Sequence, residues 1–79
     1  MKKTVTVTME FDVTIPDNKI PEILDDYRAG IASNGTEEDL FKAVAYQNGV
    51  HGLNFVEGVG DLKEEGIVCE DNWREEECS

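Results

Sequence analysis

The chain has 79 residues, 18 of them Asp or Glu against 7 Lys or Arg, for a formal charge of -11, with 39% hydrophobic and 8% aromatic residues. That length makes one small acidic domain spanning 1–79, with a limited core, and the hydrophobic share argues against wholesale disorder. The charge disfavours direct nucleic-acid binding and favours a basic surface as partner, such as the groove of a protein that itself binds DNA or RNA.

Lys2 and Lys3 open the chain, but the apolar residues after them alternate with polar ones and never form the continuous run of a signal peptide. No run approaches a membrane span either, which sets the expectation of a cytoplasmic protein. Cys69 and Cys78 are expected as reduced cytosolic thiols; a bridge across this short C-terminal segment is the alternative.

In chain order, the first signal is TVTVTMEFDVTIP. Val5, Val7, Met9, Phe11, Val13 and Ile15 hold the odd positions, and Thr4, Thr6, Thr8, Glu10, Asp12 and Thr14 the even ones. Period two over this length predicts a half-buried strand that stops at Pro16. Ile20, Ile23, Leu24, Tyr27 and Ile31 then recur at helical spacing, with Pro21 suited to a first turn, and predict a helix over 20–32. Asn34-Gly35 is the expected left-handed stop. Thr36 followed by Glu37, Glu38 and Asp39 reads as an N-cap with an acidic first turn, opening a second helix that carries Leu40, Phe41 and Val44 and closes at Asn48-Gly49.

The glycine-rich remainder predicts a second strand over 53–59, interrupted by Gly58 and Gly60, a polar connection over 61–66 and a short third strand over 67–70. Residues 74–79 are expected to form a frayed tail. The order is β-α-α-β-β, a two-layer α+β fold with an antiparallel sheet and both helices on one face.

No constellation in this pattern predicts catalysis. His51 is the sole histidine, lies among glycines and has no nucleophile placed beside it. With Cys69 and Cys78 it lacks the paired close spacing of a zinc site. Gly58-Val59-Gly60 is half of a dinucleotide fingerprint without its third glycine. The segment from Asp61 resembles a calcium loop only until Lys63 and Asn72 fall where ligands belong. The expectation is a non-enzymatic protein without metal or cofactor.

Acidic clusters are the stronger feature. Glu10 and Asp12 point the same way on the first strand, about 6.6 to 6.8 Å apart. Glu22 and Asp26 lie one helical turn apart as a like-charge pair, with Asp25 beside them. Towards the C-terminus, Glu57, Asp61, Glu64, Glu65, Glu70, Asp71, Glu75, Glu76 and Glu77 face only Lys63 and Arg74, with Trp73 among them. A tryptophan ringed by charge has the composition of an interaction hot spot; its alternative role is to fold back onto the small core.

With the lone strand TVTVTMEFDV, the helix pair IPEILDDYRAGIA and TEEDLFKAVAYQ, and the acidic EEGIVCEDNWREEE, the whole chain resembles the small acidic phage-encoded inhibitors of bacterial defence, anti-CRISPR proteins and DNA mimics among them. The resemblance is one of profile. It implies an inhibitor acting in the host cell cytoplasm by occupying a basic nucleic-acid groove on its target. The residues expected to bind are Glu10, Asp12, Glu22, Asp25, Asp26, Glu64, Glu65, Glu70, Asp71, Trp73, Glu75, Glu76 and Glu77. The alternative is a small homo-oligomer, such as a homodimer, or an accessory subunit without inhibitory role, which pairs with a copy of itself through the open strand face or an unpaired strand edge, where Thr4, Thr6, Thr8 and Thr14 suit cross-strand contacts.

Overall fold

The computed structural model describes residues 1–79 and has the α+β class, with antiparallel strands and helices. Strand β1 (Val5–Thr14) ends before Pro16, and a 3-10 turn over Asp17–Lys19 leads into helix α1 (Ile20–Gly30), which carries Pro21 in its first turn. Helix α2 (Glu37–Val44) runs on as a π-helical segment, Ala45–Val50. A small hairpin follows, β2 (Phe55–Val56) with β3 (Gly60–Asp61), then the short helix α3 (Leu62–Glu65) and strand β4 (Val68–Cys78).

The strands divide between two sheets: β1 pairs with β4, and β2 with β3. The strand expected over 53–59 is reduced to β2 because Gly58, at φ 83°, turns the chain back. The polar connection expected over 61–66 is instead helical, since the Asp61 carboxylate accepts from the amides of Lys63 and Glu64 at 3.0 and 3.1 Å and caps α3. The third strand is far longer than 67–70. It reaches Cys78 against Val5, and Thr4 and Ser79 extend the pairing by exchanging backbone hydrogen bonds at 3.1 and 2.9 Å. Residues 74–78, expected to fray, are therefore held in β4.

The core is aliphatic and small. Ile15, Ile23, Leu40, Val44, Val56, Val59, Leu62 and Ile67 form it, with Val13, Ile20, Tyr27, Phe41, Ala43 and Cys69 packed around the edge. It sits at one end of the β1–β4 ribbon, under Val13 and Ile15. Gly49 does not terminate its helix; the ring of Phe11 rests on it so closely that a Cβ there would lie 2.7 Å from the ring. Gly35 is likewise not left-handed. Its carbonyl accepts from Arg28 Nε at 2.7 Å, which ties the α1–α2 loop back to α1.

Helix α2 begins as its residues predict. The Asp39 amide donates to the Thr36 hydroxyl at 3.2 Å, and the Thr36 amide donates to the Asp39 carboxylate at 3.0 Å, the reciprocal pairing that satisfies two orphan donors. Those Thr36 interactions, the backbone one foremost, hold the Asp39 carboxyl below its ordinary value, with a smaller contribution from Lys42. Its contribution to stability is therefore present above the ordinary carboxylate range and lost as pH falls through the lowered folded value.

The outer half of the ribbon leaves the core behind. The extents of 48 × 23 × 18 Å and radius of gyration of 14.7 Å contrast with about 12 Å for a compact domain of this length. Val5 and Val7, expected on a buried face, are 61% and 48% exposed because no helix reaches them.

Two substitutions separate core from cap. Leu40→Ala, at a fully buried position, should cost roughly 3 kcal/mol in urea unfolding, and Thr36→Ala about 1 kcal/mol. Asp39→Asn should flatten the acid limb of the stability profile.

Candidate functional site: an acidic ribbon

In an antiparallel pair, directly opposed residues share a face. The register sets Thr6 against Glu77, Thr8 against Glu75, Glu10 against Trp73, Asp12 against Glu70 and Thr14 against Val68. One face of the ribbon therefore presents Glu10, Asp12, Glu70, Glu75 and Glu77 around the half-exposed Trp73, without a lysine or arginine. The other face carries Val5, Val7 and Met9 opposite Cys78, Glu76 and Arg74, and there Arg74 Nε binds the Glu76 carboxylate at 3.3 Å.

A bulge between Glu10 and Phe11 leaves Asn72 without a partner in the register. Its side-chain amide donates to Asp12 Oδ1 at 3.2 Å. The bulge brings Asn72 and Trp73 to the acidic face together, and it re-aims the strand where the ribbon leaves the core. Asp12 and Glu70 are like charges directly across the ladder, an arrangement that opposes pairing by some tenths of a kcal/mol; the Asn72 amide offsets part of it.

Across the ribbon as a whole, seven carboxylates (Glu10, Asp12, Glu70, Asp71, Glu75, Glu76 and Glu77) face the single cation Arg74. Glu70 to Glu77 spans roughly 24 Å at strand rise. The net density is one negative charge per about 4 Å, close to the one per 3.4 Å of a single DNA strand.

The other residues expected to bind lie apart from this array. Glu22, Asp25 and Asp26 are exposed on α1. Glu64 and Glu65 belong to α3, where Glu65 is already engaged by Lys19 at 3.5 Å. Trp73 does not fold into the core: it stands 47% exposed on β4.

His51 stacks edge-on against Tyr46, ring centroids 4.6 Å apart, and no three His, Cys, Asp or Glu side chains converge on a point that holds a metal ion. Cys69 and Cys78 are free. Burial, and then the charge of Asp71, push the Cys69 thiol up.

Beyond the acidic residues, the structure has an open groove of about 700 Å³ lined by Tyr27, Ile31, Leu53 and Phe55 among others, with Phe55 64% exposed. Leu53 and Phe55, two residues apart in a glycine-rich stretch, were its only trace in the sequence. No helix is long and apolar enough to cross a membrane. No family model, curated protein or solved structure matches the chain.

The two thiols should separate under iodoacetamide near pH 8. Cys78, exposed at the ribbon end, should alkylate at least about tenfold faster than Cys69, whose thiolate is disfavoured; peptide mass spectrometry reads the order, and equal rates would mean that β4 opens readily.

Proposed function

We propose that the chain is a non-enzymatic binding protein that inhibits a nucleic-acid-binding complex of bacterial defence by laying its acidic ribbon where a phosphodiester strand would lie. The observation that supports this most is the cation-free face of the β1–β4 ribbon, held by backbone pairing and projecting clear of the core. A nucleic-acid groove gains affinity from lysines and arginines placed to neutralise phosphates. Carboxylates fixed on a strand ladder engage those same cations without the ordering cost that a mobile tail incurs. Trp73 supplies a rigid apolar surface in the middle of the charge, suited to the centre of an interface. Like-charge pairing of Asp12 and Glu70 works against the stability of the sheet, and competition for a basic groove gives that arrangement a use. The site of action in this reading is the host cell cytoplasm, where free thiols persist.

The test is competition with DNA for purified basic nucleic-acid-binding proteins of bacterial defence systems, at rising salt. Affinity should fall roughly tenfold or more between about 50 and 200 mM salt. Reversing Glu10, Asp12, Glu75 and Glu77 to Lys should abolish competition, whereas Glu37→Lys with Glu38→Lys should leave most of it. Equal losses from both sets would reduce the effect to bulk charge and sink the ribbon reading. A second variant, Trp73→Ala, should weaken binding by at least about tenfold while leaving the slope against salt unchanged.

A further inference from the structure

The β1–β4 ribbon has two free edges, and they differ. Thr4 and Ser79 exchange both backbone hydrogen bonds. Exchanging pairs alternate along an antiparallel ladder with pairs that do not exchange. Given the register, the pairs at Thr6 and Thr8 exchange bonds, so the amides and carbonyls of Val5, Val7 and Met9 point outward from β1 with no partner. Side chains from Val5 to Met9 are uncharged and mostly β-branched, the type that pairs well across strands. The matching stretch of β4 carries Glu75, Glu76 and Glu77, and charge of that kind protects an edge from pairing.

We propose that β1 pairs antiparallel with β1 of a second copy of this chain, giving a two-fold dimer built on a four-stranded sheet in the order β4-β1-β1-β4. Outward groups meet outward groups only when odd residues oppose odd residues. Placing Val7 on the two-fold axis satisfies this and sets Val5 opposite Met9 of the partner subunit. Val5, Val7 and Met9 of both copies then lie side by side on one face as a continuous apolar patch, so that Val5 and Val7, exposed in the single chain, shield one another.

Charge selects the same arrangement. In this register Lys2 falls opposite Asp12 of the partner subunit and diagonal to Glu10 of the partner subunit, so the basic start of each chain meets the acidic strand of the other. The two β4 strands lie at the far edges, three strand spacings or about 14 Å apart, beyond the screening length of about 8 Å at physiological salt. Two strands alone are marginal outside a core, and four with a shared apolar face are not.

Light scattering over a concentration series, with no other protein present, tests this independently of any inhibitory role. The wild-type chain should reach twice its 8.8 kDa mass. Val7→Pro removes only an outward amide, and Val7→Lys sets two like charges on the axis. Each should raise the midpoint concentration for dimerisation at least about tenfold, with the helical part of the far-UV spectrum unchanged. Glu76→Lys, on the β4 edge, should leave dimerisation in place. A wild-type mass that stays at one chain up to about 1 mM, or dimers that survive both Val7 substitutions, would overturn the proposal. So would loss of the dimer in Glu76→Lys, or a monomer that uses this edge only to add a strand to a different protein.

Discussion

The pairing of β1 with β4 is the constraint on which the rest of this molecule depends. It joins the first strand to the last across nearly the whole chain, with Thr4 and Ser79 closing its outer end. Loop-closure entropy opposes such a contact, and the small core at the inner end of the ribbon supplies the compensation. Val13 and Ile15 anchor β1 there, and Ile67 and Cys69 anchor β4. Once the inner end is fixed, each further pair outward closes no new loop, so the ladder extends to Val5 and Cys78 although no side chain buries it.

That economy explains how so acidic a chain stays folded. The core needs only eight buried hydrophobic residues, all aliphatic, and no polar or charged residue is buried. Carboxylates are kept in water, and Lys19 to Glu65, Lys42 to Glu38 and Arg74 to Glu76 offset a few of them at the surface. Exposed pairs of this kind contribute little each, so the remaining repulsion is tolerated. The helices α1, α2 and α3 carry eight carboxylates and the ribbon seven, but only on the ribbon do they oppose one another across a ladder. Where like charges oppose each other directly, at Asp12 and Glu70, a bulge residue, Asn72, supplies the compensating hydrogen bond.

The two halves of the ribbon obey different rules. The inner half is an ordinary amphipathic strand pair, one face on the core and one in water. The outer half has two wet faces and two open edges, a combination that sheets of soluble proteins avoid unless something covers or uses it. An acidic face suits a basic groove, and an uncharged β1 edge suits a second copy; in the proposed dimer Lys2 of the partner subunit lies against Asp12 and Glu10, so the two proposals share that end of the acidic face and leave Glu70, Glu75 and Glu77 to the groove alone. Trp73 sits where the two halves meet, opposite Glu10 at the bulge, which gives the one large aromatic side chain on the acidic face a fixed place in either state.

Much of this was legible in the residues taken in order. Strict alternation from Val5 to Ile15 determined β1, and Pro16 its end. The Thr36 to Asp39 pattern determined the start of α2, and Ile20 to Tyr27 the course of α1. These features are local, set by backbone propensity and side-chain period. What the tertiary structure alone decided is which distant segment would pair with β1. Within the acidic stretch from Val68 to Cys78, only the start read as a strand, over 67–70, and 74–79 read as a frayed tail; the whole becomes one strand because β1 offers an unpaired ladder and the core holds both at one end. The same contact decided that Val5 and Val7 are exposed, that Trp73 stays out of the core, and that Glu10 and Asp12 share a face with Glu70, Glu75 and Glu77 while Glu22, Asp25 and Asp26 do not. Periodicity states which way a side chain points relative to its own strand, whereas a shared face between residues sixty positions apart exists only through the register that long-range hydrogen bonding sets.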